Sequence, residues 1–511
     1  MNVAFILDAA ATMCPDREAI WDERERLSYA ELRERARAWA GWLQARAVGQ
    51  PVLYLGVGGA SFVAALYGAA EAGLLFVPVN YRLKASELQQ VIVAVGPGIV
   101  ITDDRYRQVV EAALGAGSNV VVVETAFRPP APERLVADEE GAGPAIGLFT
   151  SGTSSAPKLA LLTHDNLTEY VLNTVEAGSA EAEEAVLICT PPYHVAAIAN
   201  VVSNTFRTRR IALLGQFEAV AWLEAVRDAR VTHAMVVPTM LKRILDALEA
   251  RPDLAPTTLA NLAYGGAKAP AGLVERALEV LPATVGLVNA FGLTETSSTV
   301  AMLGPEDHRA ALSSADPAVR ARLHSVGRAV PGVTIAVVSE RGEHLPPGAE
   351  GEVWIRGSQV SAGYRGGASK TDPAGWLHTG DLGHLDGVGY LFIHGRKDDM
   401  IIRGGENLDP GEIEAALLAH PRVEEAVVFG VPDEEWGQMI GALVVAGSAG
   451  EAELKDWVRS RLAGYKVPSR ILVVDRLPQN EMGKVVRRAA QAILVAQGSS
   501  EITSSVESAR K

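Results

Sequence analysis

At 511 residues with 48% hydrophobic side chains, the chain exceeds what one ordinary core holds, so two or more domains are expected. Its formal net charge of -14 argues against a nucleic-acid binder, which needs a basic face to neutralise phosphates. Two cysteines, Cys14 and Cys189, are too few and too far apart for a disulfide framework or a zinc site, which fits a reducing cytoplasm.

The N-terminus, MNVAFILDAAATM, meets Asp8 before an apolar export core has formed and lacks a basic flank, so no export signal is read. From Pro51 to Ala70 the sequence PVLYLGVGGASFVAALYGAA carries no charge and is long enough to test against a bilayer. Gly58-Gly59 in its middle favours a turn between a buried strand, Val52 to Gly56, and a buried helix, Ser61 to Ala72. No membrane span is therefore expected.

Apolar runs at Gly98 to Ile101, Val120 to Val123, Ala185 to Cys189, Arg210 to Leu214 and His233 to Val237 read as strands. They alternate with helical patterns such as Ala219 to Ala229 and Met240 to Ala250, which predicts parallel strands joined by crossover helices. From about Gly327 the texture changes to short strands between glycine and proline turns: Val333 to Val338, Glu350 to Arg356 and Gly389 to His394. After the charged patch Arg396-Lys397-Asp398-Asp399 come strand-like stretches at Ala426 to Val431 and Gly441 to Val445. A helix, Glu451 to Leu462, and a strand, Ile471 to Val474, complete a domain-sized unit. The boundary is placed at Lys397/Asp398, and the serine-rich composition after Ala496 predicts a disordered tail.

One loop carries chemistry in its composition. Thr150 to Lys158 follows an apolar strand and offers hydroxyls, backbone N–H groups, one glycine and one lysine, the donors that polyphosphate oxygens need. The P-loop spacing G-x-x-x-x-G-K-[ST] is absent, because Lys158 stands between proline and leucine. Downstream, in order, come PPYHVAAI with His194, YGGAKAP with Gly265-Gly266, NAFGLTETSS with Glu295, WLHTGDLG with Asp381, GRKDDMIIRGGENLDPGEIE with Arg396 and NEMGKVVRR with Lys484.

These six motifs, in this order across nearly the whole chain, resemble the adenylate-forming superfamily, and within it the bacterial acyl- and aryl-CoA ligases. The resemblance implies an α/β fold. A large N-terminal domain of stacked βα subdomains with a small β-barrel-like subdomain (1–397) would precede a small mobile α+β domain (398–495) and the tail (496–511). It also implies an enzyme in which a carboxylate attacks the α-phosphate of ATP, giving acyl-AMP and pyrophosphate, before a thiol displaces AMP.

On the same resemblance, Thr150, Ser151, Thr153 and Lys158 would hold the β- and γ-phosphates, with Gly152 and Ser154 also in the ATP site. Glu295 would hold Mg²⁺, and Thr294 would touch the α-phosphate. Gly265, Gly266, Ala267, Asn289, Ala290, Phe291, Gly292, Leu293 and Ile393 would complete the nucleotide site. Asp381 would accept both ribose hydroxyls, with Arg396 beside it, and Lys484 would bridge the carboxylate and the α-phosphate. His194 would gate the thiol tunnel, and Asp398 would be the hinge about which Lys484 leaves and Gly404-Gly405-Glu406 enters. Trp436, Tyr465 and Lys466 would lie on CoA.

Two departures stand out. Ser155 and Leu159 occupy later glycine positions of the family loop, so weaker pyrophosphate contacts are expected. Beside Tyr465-Lys466-Val467-Pro468-Ser469 only Arg470 adds positive charge, which leaves a carrier-protein phosphopantetheine open as the acceptor instead of CoA. The acyl pocket would be lined by His194, Val195, Ala196, Ala199, Val236, Pro238, Tyr264, Gly265, Gly292 and Thr299. Small residues predominate and no arginine is present, so a second carboxylate would go unpaired. A bulky hydrophobic monoacid is expected: aryl, alicyclic, polycyclic or fatty. A G-x-S-x-G elbow, which serine hydrolase chemistry requires, does not occur. The implied partners are that acid and CoA or a carrier protein, with neither nucleic acid nor membrane, and a homodimer is left open.

Overall fold

The computed structural model describes residues 1–508 other than 48, 133–134, 142, 151–157, 362, 368, 404–405, 434–435 and 481–483; at 271, 406–407 and 498–508 only the backbone is described. By internal contacts the chain divides into two compact units. Met1–Ile335 with Ile355–His378 form the first, and Ala336–Trp354 with Thr379–Lys511 form the second.

In the first unit, Val52–Leu55 and Ile99–Thr102 are buried at every position. Such strands, apolar without alternation, belong to parallel sheets covered on both faces. They lie in a six-stranded sheet in the order Val121–Glu124, Ile99–Thr102, Val52–Leu55, Phe76–Pro78, Pro144–Thr150, Lys158–Thr163. All neighbours run parallel except the last two strands, an antiparallel hairpin that pairs Thr150 with Lys158. The charge-free segment resolves into the expected strand and a helix, Ala60–Glu71, whose residues are all buried. Gly68 lets this helix lie close on the helix Tyr29–Ala47, because a Cβ there would stand 2.6 Å from Trp39 Cβ. Among the described residues no helix is long and apolar enough to cross a membrane.

The second sheet of this unit has nine strands. Its order is Arg328–Ala329, Ser298–Leu303, Gly286–Leu293, Asn261–Gly265, His233–Val236, Ala185–Ile188, Arg210–Leu213, Glu18–Trp21, Arg26–Ser28. Its centre is parallel and its ends are closed by antiparallel pairs. Side-chain alternation separates two faces. Leu187, Ala234, Val236, Leu262 and Tyr264 pack with Trp222 and Leu241 in one core, while Ile188 and Ile211 pack with Ile198 and Val202 in another.

A four-stranded sheet follows in the order Val333–Val338, Gly351–Gly357, Leu377–Leu385, Leu391–Arg396, close to the expected positions. Beyond it, Asp398 lies in the short 3₁₀ turn Lys397–Asp399. A three-stranded sheet, Glu425–Asp433, Gly437–Val445 and Arg470–Val473, packs with helices Pro410–Leu418 and Glu451–Arg459 around Ile413, Val428, Ile440 and Leu454. The final helix, Arg487–Ser508, includes the backbone of residues 496–508 assigned above to the tail.

Candidate active site

The ends of the central parallel strands are where ligands of open α/β sheets bind, beyond the carboxyl termini. There Tyr264 and Gly265 pair with Asn289 and Ala290, and Gly292 pairs across the next strand with Thr299. Two glycines permit this spacing: a Cβ on Gly265 would meet the Ala290 carbonyl oxygen at 2.1 Å, and one on Gly292 would meet that of Ser298 at 1.7 Å. Gly266 has φ of +78°, a turn conformation that favours glycine.

Between these strands the 3₁₀ turn Thr294–Thr296 presents Glu295. The backbone then passes through φ of 56° at Ser297 and 128° at Ser298, conformations that cost energy unless neighbours enforce them. Gln359, itself buried, enforces them: its Nε2 donates to the carbonyls of Thr296 at 2.8 Å and Thr299 at 2.9 Å. The Ser297 hydroxyl donates back to the Gln359 carbonyl at 2.9 Å.

The Glu295 carboxylate is buried and receives two donors on Oε1, the Tyr364 hydroxyl and Lys370 Nζ, the latter at 3.2 Å. Burial alone would raise its pKa; the Tyr364 hydroxyl and then the Lys370 charge outweigh burial and hold it below the ordinary value. Reciprocally, burial and Glu295 push the Tyr364 phenol up. Lys370 is raised as well: burial opposes its charge, and Glu295 overcomes that opposition.

Lys158 opens the strand Lys158–Thr163, antiparallel to Pro144–Thr150, and its Nζ lies 5.9 Å from the centroid of the Tyr364 ring. The structure thus brings Lys158, Glu295, Tyr364 and Lys370 together. Sequence reasoning missed Tyr364 and Lys370, which belong to none of the six motifs. Leu159, a glycine position in the family loop, lies in strand conformation opposite Phe149 with its side chain 5% exposed in the core. This backbone needs no glycine there. Ser151, Gly152, Thr153, Ser154 and Ser155 lie outside the described residues.

His194 caps the helix Val195–Phe206, its ring centroid 4.5 Å from that of Tyr193. Its Nε2 is buried with no hydrogen-bond partner among the described residues, and burial pushes its pKa down to about 3. Of the expected acyl-pocket residues, Val195, Ala196 and Thr299 are half-buried, while Ala199 and Pro238 are buried. Val236 and Tyr264 turn into the core with Trp222, and the Tyr264 hydroxyl is engaged by His308 Nε2 at 2.9 Å. Alternation therefore puts their neighbours Met235 and Ala263 on the opposite face. There Asn200, from the His194 helix, bonds Ala196 O at 2.8 Å and approaches Met235 Sδ at 3.5 Å. Stepping one position back from Val236, to the other face of the strand, would have found Met235.

In the second unit, Asp381 and Arg396 face each other in register on adjacent strands, joined by an ion pair of 2.9 Å. Ile393 shares the strand of Arg396. Lys484 reaches solvent, but the protein packed around it, and then the neighbouring Arg396 charge, hold its pKa below the ordinary lysine value. Asp381 and Asp399 act in the opposite sense. Asp381, Arg396 and Lys484 are thus within electrostatic reach of one another. Trp436 and Tyr465 are exposed, with Arg403 between them: its guanidinium lies 5.6 Å from the Trp436 centroid and donates to the Tyr465 carbonyl at 2.7 Å. Lys466 pairs with Glu412 at 2.6 Å. Gly404 and Gly405 lie outside the described residues, and the backbone of Glu406 opens the strand Glu406–Leu408.

No cluster of three or more His, Cys, Asp or Glu able to hold a metal exists among the described residues. One ionised carboxylate, Glu295, fits Mg²⁺, which keeps several waters and completes its shell with substrate phosphates.

Comparison with known proteins agrees with this chemistry. Residues 7–365 match the family of AMP-binding enzymes, and residues 412–484 match the AMP-binding enzyme C-terminal domain. A feruloyl-CoA synthase of Amycolatopsis sp is 34% identical, over 93% of this chain and 96% of the relative. The fatty acid–[acyl-carrier-protein] ligase ScoC of Streptomyces coeruleorubidus is 32% identical, over 93% of each. Among solved structures, o-succinylbenzoate CoA synthetase (MenE) from Bacillus subtilis in complex with the acyl-adenylate intermediate OSB-AMP superimposes with a TM-score of 0.80. It is 28% identical, over 94% of this chain and 97% of that one. The same synthetase with ATP and magnesium ion gives 0.80 at 27% identity, over 94% and 98%. The chain belongs to the adenylate-forming AMP-binding enzymes and is an AMP-forming acid–thiol ligase.

Proposed function

We propose that this ligase activates a bulky hydrophobic monocarboxylic acid, aryl, alicyclic, polycyclic or fatty, and transfers it to CoA. The observation that carries the reading is the character of the acyl-pocket positions. Ala196, Ala199 and Gly265 leave room, Met235 adds a pliable apolar side chain, and no arginine or lysine among them would pair a second carboxylate.

In the first step a carboxylate oxygen of the acid bonds to the α-phosphorus of ATP, and the bond to pyrophosphate breaks. Lys484 offsets the negative charge gathering between carboxylate and α-phosphate. Lys158 and Thr150 meet the departing phosphates, and Asp381 with Arg396 orients the ribose. Glu295 would hold Mg²⁺, which would supply positive charge to offset that of the leaving group. In the second step the thiol sulfur bonds to the acyl carbon, AMP leaves and the thiol proton is released. His194, kept neutral by burial, places no positive charge at the mouth of the thiol path. Rotation about Asp398 would carry Lys484 away and bring Gly404-Gly405-Glu406 in.

Arg403, between Trp436 and Tyr465, favours a thiol acceptor that carries an aromatic nucleotide and phosphates, as CoA does. The second reading, a carrier-protein acceptor, draws on Lys466, whose charge Glu412 already neutralises, and on the similarity to ScoC. A cytoplasmic location fits the free thiols Cys14 and Cys189. Mass spectrometry of products from ATP, Mg²⁺ and a panel of hydrophobic monoacids, with CoA or with a phosphopantetheinylated carrier protein, decides between them. Acyl-CoA formed only with CoA supports the first reading, and acylation of the carrier alone overturns it.

A further inference from the structure

Two ammonium groups approach the ring of Tyr364: Lys158 Nζ at 5.9 Å and Lys370 Nζ at 5.6 Å from its centroid. Lys158 opens the strand Lys158–Thr163, whereas Lys370 shares its loop with Tyr364 and makes an ion pair with Glu295 at 3.2 Å. The pair is asymmetric: the glutamate side chain is 11% exposed and the lysine 39%. Glu295 is held in place by the Tyr364 hydroxyl, while Lys370, on a flexible four-carbon stem, can exchange partners.

An ammonium and a divalent cation repel each other across one carboxylate. When Glu295 takes the metal, Lys370 has to leave it, and the strongest acceptors that arrive with the metal are the β- and γ-phosphate oxygens. We propose that Lys370 is a second pyrophosphate-binding lysine, held on Glu295 in the free enzyme and transferred to the leaving phosphates when the metal–nucleotide complex enters. It would supply positive charge on the same tyrosine ring that Lys158 approaches. The exchange also ensures that the Glu295 charge is paired both before and after nucleotide binding, which avoids an isolated buried carboxylate. This role rests on the nucleotide-binding reading of Glu295 given above.

The test is isothermal titration of the full-length protein with magnesium pyrophosphate and, separately, with AMP. Wild type would be compared with K370M, K370Q and K370R, each checked for a wild-type thermal transition. Loss of one charge-assisted contact predicts pyrophosphate binding weaker by about tenfold in K370M and K370Q. AMP binding should stay unchanged, and K370R should recover most of the loss. Pyrophosphate affinity that is unchanged or tighter in K370M and K370Q overturns the proposal, since Lys370 would then only compete with the metal for Glu295. Failure of wild type to form a thioester from any acid of the panel would sink the proposed function instead, so the two failures are distinguishable.

Discussion

Tyr364 donates its hydroxyl to Oε1 of Glu295 from 69 positions along the chain, and this bond lies at the head of the causes that keep a buried carboxyl ionised. The folded pKa of Glu295 is depressed, so the associated stabilisation is complete above its unfolded value near 4.5 and is lost as pH falls through the lower folded value. Tyr364→Phe should destabilise the protein by about 2 kcal/mol at neutral pH, the worth of a hydrogen bond to a charged group. The gap between variant and wild type should narrow below about pH 4. Denaturant titrations at neutral and acid pH measure it, and a gap independent of pH would remove Glu295 from the explanation.

His194 titrates with the same sign for a different cause, burial. The unfolded chain takes up this proton below about pH 6.5 while the folded chain resists until about 3, so folding weakens as pH falls through that window. His194→Gln should flatten the acid slope of stability between these limits. Parallel slopes for the two proteins, measured by urea unfolding from pH 7.5 to 4.5, would contradict the burial of this imidazole.

Lys484→Ala should lower the rate of acyl-AMP formation by about a hundredfold or more, in line with removal of a group that stabilises transition-state charge. Conversion of synthetic acyl-AMP and CoA to thioester should remain near the wild-type rate. Single-turnover measurements of each half-reaction separate the two, and an intact first step would take this lysine out of the mechanism.

Asp381 and Arg396 oppose each other across adjacent strands at 2.9 Å. Asp381→Asn keeps the shape and removes the charge, so the KM for ATP should rise by about ten- to a hundredfold, with that for the acid little altered. Equal rises for both substrates would point to a general disturbance rather than a ribose contact.

Gln359→Ala tests the strained turn. It strands the buried carbonyl of Thr296 and the part-buried one of Thr299, at a cost of about 2–4 kcal/mol. The same change should loosen Glu295 and weaken binding of magnesium pyrophosphate. A stability loss below about 0.5 kcal/mol would show that the serine conformations do not depend on this side chain.

Much of this molecule was determined by local sequence. Uniformly apolar four-residue runs such as Val52–Leu55 and Ile99–Thr102 place the buried strands, since side chains covered on both faces show no alternation. The hydroxyl- and glycine-rich motifs around Lys158, Gly265 and Glu295 are legible in the sequence, because turns are built from residues close in the chain. Only the tertiary structure decided which way Val236 and Tyr264 face, that Leu159 packs inward, and that Tyr364, Lys370 and Gln359 support Glu295 and its turn. These contacts join segments roughly sixty to seventy-five positions apart. Periodicity and propensity act over a few residues, whereas strand order and register bring such segments together. The sequence alone therefore determined which motifs the chain carries, and the fold determined which charges surround Glu295.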